Sequence, residues 1–246
     1  MPDKVTIEVF RYDPENPAAG GYFQSYEVPY VEDWTVLDAL NHIKDHLDGS
    51  VTYRWSCRMG VCGSCGMMVG GEPTLTCGSF LSEHLPGPIR VEPLDHFPVV
   101  RDLVVDVQPF VEKLQSVSPW IVRPQDKPLD QGEYLQTPEQ LAEFKQFTLC
   151  INCMLCYAAC PVSGFDPDFV GPAALALAHR YNMDSRDEGF KQRRDAVFSH
   201  SAVWACTYIG ECSVVCPKHV DPAAAIQQEK LLGAQDWLSS LIPGRG

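Results

Sequence analysis

Cys150-Ile151-Asn152-Cys153-Met154-Leu155-Cys156-Tyr157-Ala158-Ala159-Cys160-Pro161 is answered further along by Cys206-Thr207-Tyr208-Ile209-Gly210-Glu211-Cys212-Ser213-Val214-Val215-Cys216-Pro217. The first run has the spacing C-x2-C-x2-C-x3-C-P. Laid over it, the second keeps every cysteine but one, and Ile209 stands where the first has Cys153. Together the runs hold seven of the eleven cysteines of a 246-residue chain.

That spacing is the one that wraps cubic iron–sulfur cores, and where two such runs occur, the cysteine before proline ligates the other run's cluster. The exchange assigns Cys150, Cys153, Cys156 and Cys216 to a 4Fe–4S cluster. It leaves Cys160, Cys206 and Cys212 as a set of three, with an aliphatic side chain at the fourth corner. Isoleucine cannot ligate iron, so a 3Fe–4S cluster is expected there. The missing thiolate changes the charge of the site, and the expected direction of its reduction potential is upward. Zinc also uses C-x2-C pairs, but structural zinc wants closed sets of four, and seven cysteines do not divide into fours.

Upstream, Cys57, Cys62, Cys65 and Cys77 are spaced C-x4-C-x2-C…C, the plant-type 2Fe–2S arrangement. Gly60, Gly63 and Gly66 let the backbone curl tightly there. Ser64 is either a hydroxyl donor to the cluster or an ordinary loop serine. Around this loop the chain predicts strands at 4–11, 22–28 and near 89–91. A helix is predicted from Thr35 to Leu47 with Val36, Leu37, Leu40, Ile43 and Leu47 on one face. The result is a small α+β sheet with one helix on it.

Prolines from Pro86 to Pro98 mark a boundary, giving expected domains of 1–104 and 105–246. Apolar spacing predicts a helix over 101–117, broken or not at Pro109, and a linker over 118–136. Thr137-Pro138-Glu139-Gln140 is a capping box with proline at the first helical position. Further helices are predicted from Gly171-Pro172, over the charged stretch Asp184–Ser199 with Arg193 and Arg194 on its surface, and from Asp221-Pro222. The second half is therefore all-α.

A net charge of −13 argues against nucleic acid as a partner. No run of apolar residues is long enough to span a membrane, the first residues lack signal-peptide character, and closely grouped cysteines in odd number fit metal rather than disulfides. A reducing, cytoplasmic setting is expected.

Over nearly its whole length the chain resembles the iron–sulfur subunit of the succinate dehydrogenase and fumarate reductase family. The motifs that carry the resemblance are R-W-S-C-R-M-G-V-C-G-S-C from Arg54, the two cysteine runs, G-P-A-A-L-A-L-A-H-R-Y-N-M-D-S-R-D from Gly171 and C-P-K-H-V-D-P-A-A-A-I-Q-Q-E-K from Cys216. The last two look like bacterial menaquinol:fumarate reductases. The resemblance implies a β-grasp 2Fe–2S domain followed by an α-helical ferredoxin domain, with the same ligand sets. It also implies a flavoprotein partner carrying FAD, one or two hydrophobic membrane-anchor subunits, and a peripheral place on the cytoplasmic face of the inner membrane. Electrons would run from quinol through this chain to the flavin that reduces fumarate, or in reverse in a succinate:quinone oxidoreductase. A soluble multi-cluster ferredoxin for another dehydrogenase is the reading from a different class. Gly164-Phe165 and Thr207 replace tryptophans and a histidine typical of ubiquinone-linked members, which favours menaquinone. The same resemblance places Gln227 and Lys230 at the quinone. His219, beside Cys216, is a candidate proton carrier, an outer hydrogen-bonding group or an exposed side chain.

Overall fold

Alternating apolar and polar residues in Lys4–Arg11 form β1, with Val5, Ile7 and Val9 buried. In this computed structural model, which describes residues 3–241, β1 is the second strand of a five-stranded mixed sheet. Its neighbours are β2 (Tyr22–Pro29), antiparallel, and β5 (Ile89–Glu92), parallel. The hairpin of β3 (Gly66–Val69) and β4 (Glu72–Leu75) completes the order β2-β1-β5-β3-β4. Gly70 and Gly71 both have positive φ, as the tight turn between these strands requires.

Helix α1 (Val36–His42) starts at Thr35, whose hydroxyl accepts the Asp38 N–H while Asp38 accepts the Thr35 N–H. It widens into a π turn at Ile43–Leu47. Val36, Ala39, Leu40 and Ile43 pack on Ile7, Val9, Met67, Ile89 and Val91 of the sheet. Full burial of such aliphatic side chains is worth roughly 1.5–3 kcal/mol each. Arg11, buried at the end of β1, donates to Asp102 (3.1 Å), Asp48 (2.8 Å) and the Tyr26 hydroxyl (2.8 Å), and Asp102 also receives the Thr52 N–H at 2.8 Å. This network anchors the segment that leads into the Cys57 loop.

The expected helix over 101–117 is corrected. Val99–Arg101 (β6) and Val104–Val105 (β7) pair as a short hairpin, turning at Asp102, which has a φ of 46°. The helix α2 begins only at Gln108 and runs to Ser116. Pro109 lies in its first turn, where its missing N–H has no partner to lose, so it opens the helix rather than breaking it.

The remaining helices are α3 (Pro138–Phe144), α4 (Leu155–Ala158), α5 (Pro161–Phe165), α6 (Pro172–Asn182), α7 (Phe190–Val197), α8 (Glu211–Val214) and α9 (Pro222–Ser240). Thr137 and Gln140 form the capping box reciprocally, at 2.9 and 3.2 Å. Contacts divide the chain into two units, one up to Val107 together with Ile151–Ala159, the other from Gln108 to Cys150 and from Cys160 onward.

In the second unit α6 packs on α9 through small residues, Ala174 and Ala178 lying in one core with Ile226. His179 Nδ1 and Glu229 Oε1 stand 2.8 Å apart, both fully buried, and Asn182 donates to the other Glu229 oxygen at 3.0 Å. The charged stretch at 184–199 departs from expectation. Its helix spans only Phe190–Val197, and Arg193 is fully buried rather than solvated. On α9, Ile226 is buried while Leu231 and Trp237 are exposed, as is Leu241 just past its end.

Candidate metal centres

In the first unit the structure brings Cys57, Cys62, Cys65 and Cys77 together. Arg58, Gly60 and Gly63 adopt left-handed φ values of 60°, 65° and 70°. The loop thereby curls so that the N–H groups of Met59, Val61 and Cys62 donate to Cys57 Sγ at 3.5, 3.4 and 3.3 Å. The Ser64 N–H donates to Cys62 Sγ at 3.5 Å.

These amides, the one from Met59 first, hold the Cys57 thiol down to about 6. Convergent N–H groups make an anion-binding concavity that favours thiolate, the form that binds iron. Cys77 goes the other way. Burial, and then a hydrogen bond with Cys65, push its thiol up to about 11, and the Cys57 charge adds to this. The hydrogen bond with Cys65 places the distant fourth cysteine at the loop.

Gly63 meets the other cysteine run inside the same unit. A Cβ there would lie 2.9 Å from Cys153 Cα and 2.9 Å from the Ile151 carbonyl oxygen. Backbone atoms cannot rotate out of the way, so only glycine lets the two loops touch. Gly60 has a similar φ, but a Cβ at that position would meet nothing within 4 Å. Gly63→Ala and Gly60→Ala therefore share the left-handed backbone cost of about 1–2 kcal/mol. Gly63→Ala alone adds a clash worth about 1–3 kcal/mol. Melting and iron content should fall distinctly further in Gly63→Ala; equal losses would show that the contact does not matter.

The two cysteine runs share a backbone shape as well as a spacing. Asn152 and Met154 in the first have φ of 53° and 69°, and Tyr208 and Gly210, at the equivalent places in the second, have 61° and 91°. Each loop then enters a one-turn helix, α4 with Cys156 and α8 with Cys212. Left-handed conformations cost non-glycine residues about 1–2 kcal/mol, and three of these four positions hold one. Ile209 thus occupies the same turn of backbone as Cys153.

Cys160, Cys206, Cys212 and Ile209 line one narrow pocket of about 20 Å³, with Phe169 and Ile226 also in its wall. Burial pushes the Cys212 thiol up to about 12, and the charges of Cys160 and Cys206 contribute, which sets the three thiols within electrostatic reach of one another. Cys153 and Cys156 are buried in the first unit. Cys150 and Cys216 pack on a single cluster of the second, formed by Phe144, Phe147, Ala176, Val220 and Ala225. Among the described residues no three His, Cys, Asp or Glu side chains are placed to hold a single metal ion. The donor set, thiols with amides aimed at sulfur, fits iron–sulfur cores, whose ligands stand around several metal atoms.

Lys230 and Gln227 both reach Cys206. Lys230 Nζ donates to its carbonyl oxygen at 2.8 Å, and Gln227 Nε2 lies 4.0 Å from its sulfur. His219 is exposed and donates its N–H to the Cys216 carbonyl. Sequence reasoning missed Ser213, which donates to Asp221 at 2.6 Å and accepts the Ala223 N–H. Asp221 caps α9 through the Ala224 N–H, so this pair ties the Cys212 turn to that helix. The Asp221-Pro222 cap was visible in sequence; the serine beside it carried no signal.

Comparison with known proteins agrees with this site. Residues 6–112 match a 2Fe-2S iron-sulfur cluster binding domain, and residues 146–220 a 4Fe-4S dicluster domain. A fumarate reductase iron-sulfur subunit from Mycobacterium tuberculosis is 57% identical, covering 98% of this chain and 98% of its own. One from Escherichia coli is 52% identical over 97% of each. Among solved structures, a chain of the Mycobacterium smegmatis Sdh1 complex in the apo form superimposes with a TM-score of 0.86 at 27% identity, covering 97% of this chain and 99% of that one. With two cysteine-built ferredoxin modules in this order and relatives matched end to end, the chain belongs to the family of iron–sulfur subunits of fumarate reductase and succinate dehydrogenase.

Proposed function

We propose that the chain is the electron-carrying subunit of a membrane-bound quinol:fumarate reductase, working between menaquinol and the FAD of a flavoprotein partner that reduces fumarate to succinate. Cys57, Cys62, Cys65 and Cys77 would hold 2Fe–2S. Cys150, Cys153, Cys156 and Cys216 would hold 4Fe–4S, and Cys160, Cys206 and Cys212 would hold 3Fe–4S. When bound, these groups supply one-electron carriage, and the dicarboxylate chemistry stays with the partner's flavin. The observation that carries the reading is the matched pair of loops, one presenting Cys153 and the other Ile209 on the same backbone turn.

The chain's own residues supply the environment. Amides at 3.3–3.5 Å steady the Cys57 sulfur, and Phe169 and Ile226 keep water from one side of the three-cysteine pocket. Tyr208 and Ile209, which line that pocket, are exposed, at 60% and 57%. An apolar rim of this kind fits a hydrophobic anchor subunit, and no helix among the described residues is long and apolar enough to cross a membrane itself. That arrangement suits a peripheral subunit, and the resemblance places it on the cytoplasmic face. Low-temperature EPR of the native assembly, oxidised and then reduced, with iron and sulfide analysis, tests the cluster set. Failure to find a 3Fe–4S signal in a fully loaded preparation would remove its centre.

The likeness to the Sdh1 complex favours a second reading, the same subunit in a succinate:quinone oxidoreductase. The copurifying quinone separates the two. Lys230→Leu removes a charged donor, an interaction worth about 1.5–3 kcal/mol, so quinol oxidation should fall about tenfold to hundredfold. Wild-type quinone kinetics in that variant would take Lys230 out of the quinone site.

A further inference from the structure

Two side chains on one face of α9 converge on a single cysteine. Gln227 and Lys230, one turn apart, meet the sulfur and the carbonyl of Cys206 respectively, at 4.0 and 2.8 Å. Both are part-buried, and the same helix supplies Ala223 and Ile226 to the wall of the three-cysteine pocket. A glutamine needed only for helix solubility would point its amide at water.

We propose that Gln227 is a positioning residue that sets the reduction potential of the 3Fe–4S site by donating its side-chain amide to the Cys206 sulfur, while Lys230 holds the Cys206 peptide so that the sulfur stays in reach. The inference rests on the ligand set proposed above. Its physical basis is electrostatic. Reduction adds negative charge to a cluster, and that charge spreads onto its sulfurs. A donor aimed at one of those sulfurs stabilises the reduced form more than the oxidised one and raises the potential. The Lys230 ammonium, on the neighbouring carbonyl, acts in the same direction. An acceptor site at the quinol end of the chain benefits from a raised potential, because it then draws electrons from a weak reductant.

The test uses the intact membrane complex carrying Gln227→Met, which keeps the length of the side chain and removes the donor, and Gln227→Glu, which keeps the shape and replaces the donor with a charged acceptor. The 3Fe–4S EPR signal is followed in a redox titration, alongside iron content. In the Met variant the ratio of reduced to oxidised cluster at a fixed potential should fall about tenfold, a downward shift of about 59 mV for a one-electron couple. The Glu variant should shift further the same way.

A loaded Met variant with the wild-type midpoint would overturn the proposal. If the Met variant does not load, the Glu variant decides by the same criterion. Failure of both to load also overturns it, because a tuning donor is not required for assembly. A wild-type complex without the 3Fe–4S signal would instead reject the ligand set itself, so the two failures are told apart.

Discussion

Ile209→Cys is expected to convert the three-cysteine site into a four-cysteine one, adding one iron per chain and replacing the 3Fe–4S EPR signal with that of a reduced 4Fe–4S cluster. The expectation comes from the backbone. Tyr208 and Gly210 hold the left-handed conformations that Asn152 and Met154 hold beside Cys153. The substituted sulfur would therefore leave the chain in the direction that a ligating sulfur leaves it in the first run. Room is available, since Ile209 lines the pocket with Cys160, Cys206 and Cys212 while remaining 57% exposed. No core side chain has to move, and cysteine is smaller than the isoleucine it replaces.

The functional consequence follows from the change of core. Cluster type is itself a lever on reduction potential, and replacing 3Fe–4S by 4Fe–4S is expected to move the potential downward. Each fall of about 59 mV makes electron arrival from quinol about tenfold less favourable, so turnover with a menaquinol analogue should drop severely. The 2Fe–2S signal serves as the internal control, because Cys57, Cys62, Cys65 and Cys77 belong to the other unit. Unchanged iron content and an intact 3Fe–4S signal in the variant would show that Ile209 is not the vacant corner.

The candidate ligands were legible because the spacing within each cysteine run is local, and a capping box such as Thr137 to Gln140 is complete within one turn. What sequence could not show was anything closed by distant partners. Residues 101–105 resembled the start of a helix because Leu103, Val104, Val107 and Phe110 fall at helical intervals. The hairpin is instead fixed by Asp102, which accepts from Arg11, Tyr12 and Thr52, each far away in sequence. Gln227 was placed at the quinone by resemblance alone, and its approach to the Cys206 sulfur depends on how α9 packs. Arg193 was the largest error, since a charged helix with paired arginines reads as surface until its partners are known.

Arg193→Met is expected to destabilise the second unit by about 3–5 kcal/mol, the range for leaving one member of a buried ion pair without its partner. All five guanidinium N–H donors are used. Nε donates to the Ser118 carbonyl at 3.0 Å, and Nη2 to the Trp120 carbonyl at 2.6 Å and Asp187 at 2.9 Å. Nη1 serves the other Asp187 oxygen at 2.7 Å and Asn182 at 3.4 Å. Asp187 in turn accepts the Val122 and Gly189 N–H groups at 2.8 and 2.6 Å.

Burial alone would raise the Asp187 pKa, but the Arg193 hydrogen bond and these two amides outweigh it and hold it below the usual carboxylate range. One buried pair thus fastens the 118–122 segment to the turn before α7. Removing the cation strands a carboxylate in the interior and frees that segment at once. For a chain of this size the loss corresponds to a fall of about 6–20 °C in apparent melting temperature of the cluster-loaded protein. Adding Asp187→Leu to Arg193→Met should restore part of it, because the stranded charge is gone. If the double variant melted no higher than the single one, the loss would lie in the carbonyl contacts to Ser118 and Trp120 rather than in the uncompensated charge.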